Sequence, residues 1–219
     1  MAYPYAQQTL EVLTPLDSHR GGWIEIIAGG MFSGKSEELI RRLRRSVIAR
    51  QRVQVFKPIL DDRFATDEVV SRDERRLKAF AVATSAELLA RVEIGVQVVG
   101  VDEIQFFDDG IVDVCMQLAD AGIRVIAAGL DQDFMRRPFG PMPALLAVAE
   151  EVSKMHAVCV RCRGAAHYSQ RLSGGNAQVE VGDASYEARC RHCFESYRAL
   201  PEEKPAVQLT IPQPVAGTA

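Results

Sequence analysis

The sequence predicts an α/β fold in which a mostly parallel β-sheet is flanked by helices. Three observations predict it. Short apolar segments alternate with segments whose apolar residues recur at helical spacing. The short apolar segments are nearly continuous, which is typical of parallel strands buried on both faces. A glycine-rich segment lies between the first apolar segment and the first helical one, at the end of a strand where α/β proteins bind ligands.

The individual elements follow from these patterns in chain order. The first strand is predicted at residues 23–28, and residues such as Leu39 and Leu43 form the apolar face of the next helix. The basic stretch 41–52 is interpreted as a solvated helix face. Ser85 is the predicted N-cap of a later helix. The remaining strands are predicted at 53–56, 96–101, 125–128 and 152–158, and the remaining helices at 85–91, 111–119 and 141–150.

The 219-residue chain is long enough for one ordinary domain and a small appendage. After residue 158 the α/β alternation gives way to cysteines, glycines and arginines, which marks a predicted domain boundary. We expect a poorly ordered lead-in at 1–22, an α/β domain at 23–158, a cysteine-containing domain at 159–200 and a flexible tail at 201–219.

Composition and charge argue against several classes of protein. The formal net charge is −3, from 26 basic and 29 acidic residues, so the chain lacks the excess of positive charge that is typical of proteins that bind nucleic acid. No apolar run approaches the about 20 residues that cross a membrane, and we expect no signal peptide. We therefore expect a cytoplasmic protein that binds neither nucleic acid nor membrane. In that compartment its five cysteines are expected to bind metal or to be buried, rather than to form disulfides.

Residues 29–36 read Gly-Gly-Met-Phe-Ser-Gly-Lys-Ser and match the G-x-x-x-x-G-K-[ST] pattern of P-loop nucleotide enzymes. Gly29 and Gly34 allow a tight turn whose N–H groups point inward and bind phosphate. Lys35 supplies a positive charge for the β- and γ-phosphates, and Ser36 offers a hydroxyl to Mg²⁺. The alternative is a chance glycine loop. The predicted nucleotide-binding residues of this loop are Gly29, Gly30, Met31, Phe32, Ser33, Gly34, Lys35 and Ser36.

Two acidic residues, Asp102 and Glu103, follow the apolar strand 96–101. Because the carboxyl ends of parallel strands share one edge of the sheet, this pair is expected near the phosphate loop. Asp102 suits the role of a Mg²⁺ partner, and Glu103 suits a proton acceptor for an attacking hydroxyl. The alternative is that both residues only cap the next helix.

Two Cys-x-x-Cys pairs lie in the C-terminal part, and their residues are Cys159, Cys162, Cys190 and Cys193. Two close thiolate pairs suit tetrahedral Zn²⁺. Four cysteine ligands leave no open position, so the zinc is expected to be structural and to anchor both ends of residues 163–189. Redox-active pairs are the alternative. Cys115 lies on the apolar face of a predicted helix and is expected in the core.

These motifs together resemble type II thymidine kinases, the cellular and bacterial thymidine kinase family. The resemblance extends from about residue 23 to residue 197 and is specific because it combines several motifs. They are the loop at 29–36, Asp-Glu-Ile-Gln-Phe-Phe at 102–107, Gly-Leu-Asp-Gln-Asp-Phe at 129–134, Pro-Phe-Gly at 138–140 and the paired cysteines.

The resemblance implies transfer of the γ-phosphate of ATP to the 5′-hydroxyl of thymidine, a salvage step in DNA precursor synthesis. It implies Glu103 as the general base and Asp102 as the Mg²⁺ partner. Asp61 and Arg63 match an Asp-x-Arg element near the phosphates, where Arg63 would offset transition-state charge. The nucleotide-contacting residues implied at the acidic strand end are Asp102, Glu103, Ile104 and Gln105.

The cysteine-anchored segment resembles the family's lasso, which closes over the nucleoside. Backbone groups around Val179 and Val181 are implied to hold the base, and Tyr186 to contact thymine. Simple core packing is the alternative for the two phenylalanines of the implied apolar walls. Family members are usually tetramers inhibited by thymidine triphosphate, so we expect a homotetramer. The implied apolar walls are Met31, Leu130, Phe134 and Phe139.

Two other interpretations compete with this one. The first is a P-loop ATPase or GTPase with a zinc ribbon, although the chain has no Asn-Lys-x-Asp guanine signature. The second is a zinc-stabilised regulatory protein that binds nucleotide without catalysis. Glu103 argues against the second, because a pure binder has no use for a proton acceptor beside the Mg²⁺ ligand.

Overall fold

The structure is a computed structural model that describes residues 21–59, 68–70, 76–172 and 185–195. Its strands are β1 (Ile24–Gly29), β2 (Val53–Pro58), β3 (Glu68–Val70), β4 (Arg76–Lys78), β5 (Phe80–Val82), β6 (Val98–Val101), β7 (Arg124–Gly129), β8 (Glu151–Met155), β9 (Ala157–Val158), β10 (Ala165–Ala166), β11 (Tyr168–Arg171) and β12 (Tyr186–Arg189). The helices in these residues are α1 (Lys35–Ile48), α2 (Ser85–Arg91), α3 (Gly110–Asp120) and α4 (Met142–Val148), with a 3₁₀ turn at Ile104–Phe106.

Six strands form one sheet in the order β5-β2-β6-β7-β1-β8, and every neighbouring pair is parallel. The predicted parallel sheet is therefore confirmed. Because the strands are parallel, their carboxyl ends lie along one edge. The end of β1, which leads into the glycine-rich segment, and the end of β6, which leads into the acidic pair, are separated at that edge only by β7.

Helices pack on both faces of the sheet, as the apolar strands predict. On one face α1 buries Leu39, Ile40 and Leu43 against residues of β1, β2, β6 and β7. On the other face α2, α3 and α4 bury residues including Leu88 and Cys115 against the same strands. Cys115 is thus a core residue, as predicted, and burial raises the pKa of its thiol to about 12.

Several predicted boundaries move in the structure. Predicted strand 152–158 divides into β8 and β9, because β8 pairs in parallel with β1 whereas β9 pairs antiparallel with β10. The prediction that Ser85 caps α2 is wrong. Thr84 is the N-cap, and its side chain accepts a hydrogen bond from the backbone N–H of Glu87 at 3.1 Å. Ser85 instead donates its hydroxyl to Asp108.

A buried carboxylate, Glu25, ties the strand that carries the glycine-rich segment to its neighbours. Glu25 is 1% exposed and accepts hydrogen bonds from Arg42 of α1 at 2.7 Å and Arg124 of β7 at 2.6 Å. Burial opposes the charged carboxylate, but the hydrogen bonds from these arginines and from Trp23 outweigh it and lower the pKa of Glu25. Arg42 is therefore an anchor of α1 and departs from the solvated face predicted for residues 41–52.

The chain beyond the main sheet forms two small antiparallel sheets, β9 with β10 and β11 with β12. β9 leads into the first cysteine pair and β12 into the second, and the backbone N–H of Val160 donates to the backbone oxygen of Ala188 at 3.1 Å, which joins the two segments. No helix in the described part of the chain combines the length and apolar character that crossing a membrane requires.

Candidate functional site

The glycine-rich segment joins the end of β1 directly to the start of α1, in the strand–loop–helix order that the sequence predicts. Gly29 has φ +151°, and a Cβ atom there would lie 2.5 Å from the backbone oxygen of Met155. Gly34 is the N-cap of α1 with φ +82°. Both positions therefore favour glycine, and the N-terminus of α1 directs its positive dipole end towards the loop.

Lys35 folds back over the loop that precedes it. Its Nζ donates to the backbone oxygen of Gly30 at 2.9 Å, and the hydroxyl of Ser33 donates to the same oxygen at 2.8 Å. Burial lowers the pKa of Lys35, while the charges of Glu103 and Asp102 offset part of that effect. The lysine thus stands between the loop backbone and the acidic pair, where a phosphate group would find a cation and inward N–H groups.

Asp102 lies beside the loop as predicted. Its Oδ1 accepts hydrogen bonds from the Ser36 hydroxyl at 3.3 Å and from the backbone N–H of Glu103 at 3.0 Å. Burial and the neighbouring Glu103 charge raise the pKa of Asp102 to about 7, against the opposing effects of these hydrogen bonds and of Lys35. A hydroxyl and a carboxylate at this distance are the hard oxygen donors that Mg²⁺ prefers, so the residues fit the ion.

Glu103 has a strained backbone, with φ +51° and ψ +39° in the left-handed region. For a residue with a Cβ atom this conformation costs about 1–2 kcal/mol, and such strain clusters at functional sites. Its side chain does not cap the following 3₁₀ turn. The alternative that Glu103 only caps the next helix therefore finds no support.

The structure adds a partner for Glu103 that sequence reasoning missed. Gln105 is 2% exposed, and its Nε2 donates to Glu103 Oε2 at 2.6 Å. Its Oε1 accepts the backbone N–H of Leu130 at 3.0 Å. Gln105 thus fixes the Glu103 carboxylate to the end of β7. The side chain of Ile104, also expected near the nucleotide, lies in the apolar core.

A third acidic residue, Asp131, lies close to the glycine-rich loop. Asp131 follows β7, is 7% exposed, and forms an ion pair with Lys154 of β8 at 2.6 Å. Its charge also acts on Lys35. This pair joins the ends of β7 and β8 on either side of β1. No local period predicts this ion pair, because Asp131 follows β7 and Lys154 lies 23 residues later in β8.

Some of the residues expected to bind the nucleoside come together at this edge of the sheet. The backbone N–H of Met31 donates to the Ser169 hydroxyl of β11 at 2.9 Å, which joins the loop to the C-terminal sheets. Phe134 and Tyr186 both contact Arg171. Phe139 packs edge to face on Phe106 with ring centroids 5.4 Å apart, as the core-packing alternative expects.

Some predicted site residues lie outside the described part of the chain. They are Asp61, Arg63, Val179 and Val181. Their proposed contacts with phosphate and base remain predictions.

The four cysteines form a single cluster that can hold a metal ion, as predicted. The Sγ atoms of Cys159, Cys162, Cys190 and Cys193 all lie within 4.8 Å of one another. The Sγ atoms of Cys162 and Cys190 are 3.5 Å apart. Thiolates around tetrahedral Zn²⁺, each about 2.3 Å from the ion, are about 3.8 Å apart, so the cluster fits zinc.

The charges of this cluster also favour a cation. The backbone N–H of Cys193 donates to Cys190 Sγ at 3.4 Å and lowers the pKa of Cys190. The hydrogen bond with Cys190 raises the pKa of Cys193 to about 12. The neighbouring cysteines therefore oppose ionisation of Cys193, and a divalent cation would remove that opposition. The alternative of two separate redox pairs fits less well, because the sulfurs form one group.

Comparison with known proteins decides the family. A family model described as "Thymidine kinase" matches residues 22–194. The chain is 52% identical to a thymidine kinase of Rhodothermus sp. (strain ITI 518), over 88% of this chain and 92% of that protein. It is 51% identical to thymidine kinases of Bacteroides fragilis, over 86% and 94%, and of Porphyromonas gingivalis, over 85% and 91%.

The chain belongs to the thymidine kinase family. Membership accounts for the combination seen in the structure, a glycine-rich loop and an acidic strand end beside a cysteine cluster. The matched region includes all of the main sheet and the four cysteines of the cluster. It ends close to residue 195, the last residue that the structure describes.

Proposed function

We propose that this protein is a thymidine kinase that transfers the γ-phosphate of ATP to the 5′-hydroxyl of thymidine. The products are ADP and thymidine 5′-monophosphate, a precursor for DNA synthesis. The observation that carries the proposal is the 3.3 Å contact between Ser36 of the loop and Asp102 of the acidic strand end, in a chain of this family. It supports a shared site for phosphate and hydroxyl chemistry.

The loop residues would hold the triphosphate. Backbone N–H groups of 29–36 and the N-terminus of α1 would bind the phosphate oxygens. Lys35 would leave the Gly30 carbonyl for the β- and γ-phosphates, because a phosphate is the better partner for an ammonium group. Ser36 and Asp102 would hold Mg²⁺, which neutralises charge on the transferring phosphate when bound. Arg63 would add positive charge to the same phosphates.

Glu103 would act as the general base. As the 5′-oxygen bonds to the γ-phosphorus, the bond between that phosphorus and the bridging oxygen breaks, and ADP leaves. The proton of the 5′-hydroxyl passes to the Glu103 carboxylate. Gln105 keeps that carboxylate in one orientation through the 2.6 Å hydrogen bond. Such positioning is the larger part of phosphoryl-transfer catalysis.

Residues 159–200 would form the lasso over the nucleoside. The cysteine cluster would hold structural Zn²⁺, which joins the chain before β10 to the chain after β12 and so fixes both ends of the lasso. Tyr186 and Phe134 would contact the base, while backbone groups near Val179 and Val181 would bind its polar edge. The active assembly is proposed to be a homotetramer.

A nucleoside screen tests the proposed function. The purified protein is incubated with γ-labelled ATP and Mg²⁺, together with thymidine, deoxyuridine, deoxycytidine, deoxyadenosine or deoxyguanosine. ATP without nucleoside is the control. We expect labelled monophosphate from thymidine and much less from the purines. ATP hydrolysis that is independent of every nucleoside would contradict the proposal.

A further inference from the structure

A buried arginine, Arg171, contacts two aromatic residues of the predicted nucleoside slot, Phe134 and Tyr186. It is the last residue of β11 and pairs directly with Tyr186, the first residue of β12. Arg171 is 4% exposed, although arginine is among the residues least often fully buried. Removing a guanidinium from water is unfavourable, so its contacts must hold it in a defined position.

Two of its contacts are with this aromatic pair. Arg171 Nη2 donates to the Tyr186 hydroxyl at 2.6 Å, and Arg171 Nε donates to the same oxygen at 3.0 Å. The guanidinium carbon lies 3.6 Å from the ring centroid of Phe134. A guanidinium stacked on one ring and hydrogen-bonded to another group fixes both, because its planar fork has little freedom once two bonds are made.

The two aromatic residues come from different parts of the chain. Phe134 lies in the loop after β7, in a turn that Asp133 closes by accepting the backbone N–H groups of Met135 and Arg137. Tyr186 lies 52 positions later, at the start of β12, and leads to the second cysteine pair. Arg171 is thus a direct connection between the α/β domain and the C-terminal sheets at the slot.

We propose that Arg171 is a positioning residue that sets the spacing of Phe134 and Tyr186 and thereby determines affinity and selectivity for the pyrimidine base. The proposal rests on the proposed thymidine kinase function. A slot of fixed width rewards the 5-methyl group of thymine, because one methyl group in a well-fitted apolar site changes the rate by about 10-fold or more. Without Arg171 the two rings would lose their common support, and that discrimination would fall.

The test compares kinetic constants for Arg171→Met, Tyr186→Phe and the double variant. We expect Arg171→Met to raise the KM for thymidine about 10-fold to 100-fold, with less than about a 3-fold change in the KM for ATP. The preference for thymidine over deoxyuridine, measured as a ratio of kcat/KM, should fall at least about 3-fold. A merely structural arginine would lower stability without changing this preference.

The double variant identifies the bond through which Arg171 acts. Tyr186→Phe removes only the oxygen that accepts both N–H groups. If both residues act through that oxygen, the double variant should lose about as much thymidine affinity as the worse single variant. If the affinity losses of the two single variants multiply in the double variant, the proposed mechanism is overturned. An unchanged thymidine KM in Arg171→Met would overturn it as well.

Two further arrangements keep the test decisive. Should Arg171→Met fail to fold, Arg171→Lys keeps the charge over Phe134 but lacks the fork, and it should give a smaller rise in thymidine KM with the same loss of preference. An unchanged preference in Arg171→Lys and in Tyr186→Phe would then overturn the proposal. If the wild-type protein phosphorylates no thymidine, the proposed function itself is rejected. If the wild type is active and the variants keep its thymidine KM and its preference for thymidine, only the role of Arg171 is rejected.

Discussion

The substitution Gln105→Met tests whether the orientation of Glu103 limits turnover. Methionine has nearly the same length as glutamine, so it fills the buried site while removing both hydrogen bonds of the amide. The backbone N–H of Leu130 loses its 3.0 Å partner, and the Glu103 carboxylate loses its 2.6 Å donor. An unsatisfied buried donor costs about 1–3 kcal/mol and a hydrogen bond to a charged group contributes about 1.5–3 kcal/mol.

The unsatisfied N–H group and the lost hydrogen bond to the carboxylate, offset in part by burial of the apolar methionine side chain, predict a loss of about 2–4 kcal/mol in the free energy of unfolding. They also predict a fall in kcat of about 10-fold to 100-fold, because a base displaced by about 1 Å loses much of its effect. The KM for ATP should stay within about 3-fold. Denaturant unfolding gives the stability change, and steady-state kinetics with thymidine give kcat and KM.

Gln54→Met is a matched control away from the site. Gln54 is also buried, and its side chain makes two hydrogen bonds, to the backbone oxygen of Arg91 at 3.2 Å and from the backbone N–H of Glu93 at 2.8 Å. Its replacement should lower stability by a similar amount and leave kcat nearly unchanged. Equal losses of kcat in the two variants would refute the reasoning, because stability alone would then explain the effect.

Three further predictions follow from other parts of the structure. In Glu38→Gln the free energy of unfolding should fall less steeply with decreasing pH than in wild type. The reason is that hydrogen bonds from arginines, Arg41 first, lower the pKa of Glu38 to about 2. That contribution is present above about pH 4.5 and is lost as the pH falls towards 2. Zinc chelation or Cys190→Ser should weaken thymidine binding more than ATP binding in titrations. Gly29→Ala, strained by about 1–3 kcal/mol, should weaken binding of an ATP analogue by about 5-fold to 100-fold.

Each of these has a clear contrary result. Equal steepness of acid unfolding between pH 5 and pH 2 in wild type and Glu38→Gln would remove the role given to that carboxylate. Equal losses of ATP and thymidine affinity after chelation would mean that the metal supports the whole fold. Gly21→Ala is the control for Gly29, since a Cβ at Gly21 meets no atom within 4 Å. Unchanged ATP affinity in Gly29→Ala would argue against the loop geometry.

The sequence predicted what depends on local pattern. Continuous apolar segments identified five of the six strands of the main sheet, all except β5, and the topology of parallel strands was enough to bring Ser36 and Asp102 together. The spacing of the cysteines predicted a cluster of four sulfurs. These features follow from the period of a strand or helix or from a short ligand motif, so they can be recognised in a single chain.

The sequence could not predict which distant groups satisfy buried polar side chains. Arg42 resembles any basic residue on a helix surface until the register of β1 places Glu25 beside it. Gln105 takes its partners from Glu103 and from a strand end 25 residues later. Thr84 displaced Ser85 as the N-cap because Asp108 is the partner of the serine. Such choices depend on tertiary geometry, which no local period encodes.

The most direct test of the central claim follows the phosphorus atom itself. Phosphorus NMR of wild-type protein with ATP, Mg²⁺ and thymidine should show thymidine 5′-monophosphate growing at the rate at which ADP appears. Glu103→Gln should bind ATP with nearly unchanged affinity and form the monophosphate at least about 100 times more slowly. Monophosphate formation at the wild-type rate by Glu103→Gln, or free phosphate as the product of the wild type, would contradict the account.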